Sequence, residues 1–368
     1  MREQAYIWTL PTRIFHWLLV LYILIMFITA DEDSLLNIHA AFGYGVGILI
    51  FFRIVWGFIG PKYSKFYEWP LNFKEAFEFI FSLFYPKKDY PGHNPAASFV
   101  MLGIIVVTLL TVLTGVLTYG IQEGKGVLSF LNSSFFREME IFEEIHEFFS
   151  TFLLLLIFIH IMGVIVDTLL HKEIRTLKSM IDGYKNLKAQ SVKLNALQKI
   201  VAAIFLSAAI ITPAISLIYE TPLNKSIHHP IEYENELSSF VEECGSCHTL
   251  YPPFLLPAES WKRLMADLEN HFGDDASLDE ATRKEIEDFL VKNSAQNSTK
   301  EAAVYILKSL KNHPIAITKT PFWKEKHAKL DKNIFKSQKV KSKVNCKACH
   351  KNIEKGMIED AEIEIPKA

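Results

Sequence analysis

Five long apolar runs, separated by polar segments of contrasting charge, organise the first 218 residues of the chain: 13–30, 39–59, 98–119, 146–171 and 200–218. At about 1.5 Å of rise per residue, roughly twenty apolar residues in a helix cross the hydrocarbon core of a bilayer, so each run is predicted to span a membrane. The first is marginal in length unless residues 6–10 and the turn at Pro11 seat it at the interface. No small-residue cleavage site follows it and His16 interrupts its apolar stretch, so it is read as a retained span rather than a leader. Pro213 is expected to bend the last turns of the fifth run. Four histidines punctuate the pattern. His16 sits early in the first run and His39 opens the second. His146 and His160 lie fourteen residues apart in the fourth, on nearly one helical face and about 20 Å apart along the axis.

The polar segments orient the spans. Segments 60–97 and 171–199 carry five and seven Lys or Arg, whereas 31–38 carries none and 120–145 two. Basic loops stay inside, so the N-terminus is expected to be cytoplasmic and everything after residue 218 periplasmic, in a bacterial inner membrane. A short interfacial helix is expected around 72–84. Half of the 368 residues are hydrophobic, 28 of them Phe, and the formal charge of −2 gives no reason to expect nucleic acid. Beyond a polar linker near 219–235 the pattern becomes that of a small helical domain. Trp261, Leu264, Met265, Leu268 and Phe272 recur at helical spacing with His271 at the end of the stripe. Ser277 and Glu280 suggest a capping box before a helix at 279–293, and a further helix is expected at 300–310. After that the chain is basic and irregular.

All four cysteines fall in two copies of one motif, CGSCH at 244–248 and CKACH at 346–350. In C-x-x-C-H two thiols can add to the vinyl groups of a haem while the adjacent histidine ligates its iron. The competing readings, a redox dithiol or a zinc site, do not demand a histidine directly after the second cysteine in both copies. Cys244, Cys247, Cys346 and Cys349 are therefore the expected attachment points of two c haems, with His248 and His350 as proximal ligands. For the distal ligands His271 and His327 are the candidates. A core histidine is the bland alternative for the first and a surface histidine in a basic loop for the second. His228, His229 and His313 are read as solvated.

An imidazole at membrane depth is costly without a partner, and paired histidines on one stripe suit haem. Depth matches His16 with His160 and His39 with His146, giving two non-covalent b haems. Gly43 and Gly47 are expected to let a flat macrocycle approach the second span. Arg13 and Arg53 stand near the level of the cytoplasmic haem and are candidates for its propionates, with snorkelling to lipid phosphates as the alternative. Asp167 is a thin candidate for proton exchange with a quinone, and His93 and His171 default to interfacial roles. No nucleotide loop, hydrolase triad or flavin fingerprint is present, so no substrate-turnover site is read in the chain.

Residues 6–185, through RIFHW, HAAFGYG, RIVWGFIGPKYSKF, GHNP, the LTG of the third span and the two histidines of the fourth, resemble the bacterial cytochrome b561 and nickel-hydrogenase cytochrome b family. Residues 240–366, through ECGSCHTLYPPFLLPAESW, ENHFG, ITKTPFWKEKH and NCKACH, resemble dihaem cytochrome c. The first resemblance implies a di-haem four-helix bundle on His16, His39, His146 and His160. The second favours His271 and His327 as distal ligands. The expectation is an all-α chain with a membrane cytochrome b domain at 1–190, a fifth span and linker at 191–235 and a periplasmic dihaem c domain at 236–368. It would move electrons between quinone, two b haems, two c haems and a periplasmic donor or acceptor. Two alternatives stay open: a subunit anchoring a periplasmic oxidoreductase such as a hydrogenase, and a haem reductase with an open c-haem site.

Overall fold

The computed structural model describes residues 3–81, 90–312 and 314–366. Its architecture is all-α apart from one two-stranded ribbon, and the described residues divide into two compact units, 1–118 with 141–224 and 119–140 with 225–368.

Five helices are long and apolar enough to cross a membrane: Leu10–Ile28, Leu36–Ile59, Pro95–Glu123, Ile141–Leu170 and Ala196–Ile218. Each begins three to five residues before the apolar run that announced it. In the first unit the first, second and fifth spans share one core, built from Phe15, Tyr22, Leu49, Phe52, Trp56, Leu206 and Ala209. Gly45 makes that packing possible, since a Cβ there would lie 2.8 Å from the Tyr22 ring and 2.9 Å from Pro213. The third and fourth spans meet through Ile104, Val107 and Leu153.

One end of this unit is tied together by the chain before the first span and after the fourth. Strand Ala5–Tyr6 pairs antiparallel with Tyr184–Lys185, in the register Ala5↔Lys185 and Tyr6↔Tyr184. Arg13 donates to the carbonyl of Ile181, and Trp17 Nε1 to that of Met180 at 3.0 Å. Gln198, in the first turn of the fifth span, donates to the Ile59 carbonyl at the end of the second at 2.8 Å. Trp56 Nε1, late in the second span, donates to Thr12 Oγ1 in the first turn of the first span at 3.1 Å, which sets the start of one and the end of the other at one level. The interfacial helix is present as Phe73–Phe81, and residues 82–84 of the expected 72–84 lie outside the described residues. Its Phe73, Phe77 and Phe81 form one exposed stripe at four-residue spacing, the pattern of a helix lying in a lipid surface.

The second unit holds two small cores. Tyr233, Phe240, Leu250, Leu256, Trp261, Met265, Ile286 and Leu290 make one, with Cys244 packed against it. Phe254, Leu255, Ala295, Ala302, Ala303, Ile306 and Ile353 make the other, with Cys346 against it. Segment 119–140, which lies between the third and fourth spans in sequence, folds with this unit. Gly126 N–H donates to Lys225 O and Ile227 N–H to Gly124 O, both at 2.9 Å. Gly124 and Gly126 have φ of +62° and +75°, a backbone that a side chain would strain. Lys125 pairs with Glu359, Glu140 with Lys308 at 2.6 Å, and the buried Arg137 donates to Thr299 O at 2.9 Å.

Two expectations are corrected here. The stripe 261–272 is not one helix: helix Ala258–Met265 ends, a 3-10 turn Leu268–Asn270 follows, and the chain reverses through Phe272 and Gly273 at φ +54° and +107°. The next helix, Glu280–Lys292, is capped by Asp279, whose carboxylate accepts from Ala281 and Thr282 N–H at 3.1 Å, and not by Ser277. Ser277 instead donates to Asp275 at 2.6 Å, which removes it from the helix start. Helix Glu301–Ser309 lies where the pattern put it.

Candidate functional site

The eight histidines named as ligand candidates fall into four groups of two. The rings of His39 and His146, on the second and fourth spans, have centroids 6.3 Å apart. His16 and His160 stand on the first and fourth spans. In the second unit His248 and His271 lie 6.1 Å apart, as do His327 and His350. Two imidazoles that bond one metal atom from opposite sides at about 2 Å each, with half a ring to add on either side, have centroids about 6 Å apart. Three of the four groups therefore have the spacing that a shared iron needs.

Hydrogen bonds at the far side of the rings fix which nitrogen is free. His146 Nδ1 donates to the Thr111 carbonyl at 3.0 Å, His248 Nδ1 to Thr249 O at 2.7 Å and His327 Nδ1 to Trp323 O at 2.8 Å. A carbonyl only accepts, so each Nδ1 carries the proton and Nε2 keeps its lone pair for a metal. His39 reaches the same state through Thr29. That hydroxyl already donates to Ile25 O at 2.9 Å, so its oxygen accepts from His39 Nδ1 at 3.1 Å. The Nδ1 atoms of His16 and His350 are buried without a partner. In the second unit burial lowers the pKa of His327, lowers that of His271 with help from His248, and takes His350 down to about 4 with His327 adding to the effect. Neutral imidazole is the form that ligates.

The first cysteine of each motif is set against thiolate chemistry. Burial, aided by Glu243 at the first, pushes the Cys244 and Cys346 thiols up to about 11. A redox dithiol needs the opposite shift. All four are free thiols, and the described residues contain no group of three or more His, Cys, Asp or Glu arranged to hold a metal ion. That leaves paired imidazoles, with cysteine pairs beside two of them, as the donor set, which suits haem and not zinc.

His271 holds its place through the turn after its helix, where it bridges Asp274, and not through an apolar helical face. Gly115 is the small residue that faces a candidate ligand, since a Cβ there would sit 2.8 Å from His146 Cε1. Gly43 and Gly47 face Met26 and Val112. Arg53 is 5 % exposed, lies 4.9 Å from the rings of both Phe66 and Trp69, and has a buried Nη1 with no partner. Arg13 is engaged with the Ile181 carbonyl, with its Nε buried and unpartnered. Asp167 is held by His171 at 3.0 Å.

Sequence reading missed two groups around Trp8. His93 is half-buried between the rings of Trp8 and Trp69, at 5.1 and 4.7 Å, with its Nδ1 buried, and desolvation followed by the charge of Arg53 lowers its pKa to about 3. Lys185 is 4 % exposed, donates to Gly92 O at 3.1 Å, and is lowered to about 8 by burial. Nothing local in PGHNP or in YKN signals burial. His228, read as solvated, is half-buried with a buried, unpartnered Nε2. His313 lies outside the described residues.

Known proteins resemble the two parts separately. The family model described as prokaryotic cytochrome b561 matches residues 7–183, and that described as dihaem cytochrome c matches residues 240–358. A probable Ni/Fe-hydrogenase B-type cytochrome subunit of Rhizobium leguminosarum bv. viciae is 26 % identical over 221 residues, covering 51 % of this chain and 91 % of the relative. One from Rhodobacter capsulatus is 24 % identical over 230 residues, covering 52 % and 85 %. The solved diheme cytochrome c from Rhodobacter sphaeroides is 41 % identical and covers 35 % of this chain and 100 % of its own, with a TM-score of 0.31. The two matches and the five apolar helices lead to one conclusion: residues 7–183 belong to the prokaryotic cytochrome b561 family and residues 240–358 to the dihaem cytochrome c family, in a multi-pass membrane electron-transfer cytochrome of haem b and haem c.

Proposed function

We propose that the chain passes electrons between a membrane quinone and a soluble redox partner in the periplasm. In this reading His16 with His160 and His39 with His146 hold two b haems, and His248 with His271 and His350 with His327 hold two c haems attached through Cys244, Cys247, Cys346 and Cys349. Three histidine pairs drawn from distant parts of the chain, all with centroids 6.1 to 6.3 Å apart, carry it. Bound haem supplies reversible one-electron exchange at iron. The residues supply the rest. Carbonyl-bonded Nδ1 atoms orient the ligand rings, and histidine on both sides leaves no open place for oxygen or peroxide, which favours transfer over turnover. Arg53, buried with an unpartnered Nη1 and aromatic rings on two sides, is suited to a propionate carboxylate. Arg13 already gives one Nη1 bond to the Ile181 carbonyl. The charges of the loops support a bacterial inner membrane with the N-terminus cytoplasmic and the C-terminal unit periplasmic.

A pyridine haemochrome assay with acid-acetone extraction on the purified protein tests the haem assignment, with two extractable and two covalent haems expected. Quinol and quinone analogues then test the substrate. Reduction of the oxidised protein by a quinol, or oxidation of the reduced protein by a quinone, is expected, and failure of both removes the quinone. A second reading, a subunit anchoring a hydrogenase, is favoured by the names of the two relatives. Its mark is stable co-purification with a catalytic subunit.

A further inference from the structure

Three lysines of the membrane unit crowd one cleft that the electron-transfer reading does not use. The cleft has a volume of about 310 Å³ and lies where the second span ends and the fifth begins, lined by Gly60 and Pro61 from the first junction and by Asn195 and Gln198 from the second. Lys62, Lys65 and Lys193 line it, with Glu68 as its one acid. None of the three lysines has a carboxylate within ion-pairing distance among the described residues.

Three like charges set against a single acid repel one another, and the arrangement gains stability when an anion enters. Position says which anion. Ile59 and Ala196 end and begin apolar helices, so the cleft opens where lipid headgroups lie. Tyr67, 71 % exposed at the rim, is the kind of amphipathic ring that anchors at this level. Lysine recognises phosphate as a point charge and adapts its flexible stem to a headgroup, and basic pockets between transmembrane helices take anionic headgroups.

We propose that this cleft binds the phosphate of an anionic phospholipid. The inference rests on the membrane spans alone and not on the haem ligands or the quinone. The test incubates full-length, detergent-purified protein with equal amounts of phosphatidylglycerol and phosphatidylcholine and counts retained lipid by native mass spectrometry. Phosphatidylglycerol is expected to be retained in preference. Each lysine near an anionic headgroup is worth about fivefold in binding. The preference should therefore collapse in the combined Lys62→Gln, Lys65→Gln, Lys193→Gln variant, with its haem spectrum unchanged. Should that variant lose its haem spectrum, Glu68→Gln carries the test, because removing the lone acid must raise retention of phosphatidylglycerol. Equal retention of the two lipids by the wild type overturns the proposal, as does unchanged preference in the folded triple variant or unchanged retention in Glu68→Gln. Binding of inorganic phosphate with no preference between the lipids makes the cleft a free-phosphate site and also overturns it.

Discussion

The hydroxyl of Tyr22, on the first span, donates to the carbonyl oxygen of Ala209, on the fifth, at 3.0 Å. Ala209 lies four residues before Pro213, whose missing N–H would otherwise serve that carbonyl. A bare carbonyl in hydrocarbon is costly, so a tyrosine from a neighbouring helix makes the proline tolerable.

Tyr22→Phe should destabilise the membrane unit by about 1 to 3 kcal/mol, the usual cost of an unsatisfied buried acceptor. Thermal unfolding followed through the b-haem absorbance should fall by several degrees. Pro213→Ala in the same background should recover much of the loss, because it restores the helical donor. Equal melting of wild type and Tyr22→Phe would mean that Ala209 O is served in another way.

His146→Ala should remove one extractable haem and leave both covalent haems attached, counted by acid-acetone extraction. Thr29→Val is the finer test. It removes the oxygen that accepts from His39 Nδ1, and losing such an outer partner costs about 10- to 100-fold in affinity. Titration of the apoprotein with haem should show one weakened site with the other unaffected.

The reduced wild-type protein should not bind carbon monoxide, since every iron is expected to have histidine on both sides. His271→Ala should bind one equivalent, and so should His327→Ala. Stoichiometric binding by the wild type would favour a reductase with an open c-haem site.

Lys185 supplies a pH signature. Burial lowers its pKa from 10.5 to about 8, so between those values the unfolded chain holds a proton that the folded chain does not. Stability must rise with pH across that window, with the burden of the buried charge fully present below about 8 and gone above about 10.5. The melting temperature of the wild type relative to Lys185→Met should climb from pH 8 to pH 10. A flat difference would mean that Lys185 titrates normally.

The spans were legible because an uninterrupted apolar run of about twenty residues has one structural solution in lipid. The cysteine motifs were legible because their chemistry is local. His271 shows what misleads. Trp261, Leu264, Met265 and Leu268 repeat at helical spacing, yet the helix stops at Met265 and a turn through Phe272 and Gly273 aims the ring. Periodicity cannot distinguish a continuing helix from a 3-10 turn that happens to keep apolar residues inward. His93 shows what is invisible. Its burial is made by Trp8 and Trp69, far away in sequence and brought close by the ribbon and the loop after the second span. The role of Thr29 is hidden for the same reason, since a threonine at a helix end is ordinary until His39 is folded beside it.

Segment 119–140 imposes a schedule on biosynthesis. Lys125 meets Glu359 across 234 residues of chain, and Arg137 meets Thr299 across 162. A ribosome makes the short segment first, then two further helices that insert behind it, and only afterwards the residues that complete its bonds. The early piece waits, with an arginine and two positive-φ glycines ready, until the last third of the protein has been made. Synthesis of that last third is thus the event that finishes a structure begun before the fourth helix existed.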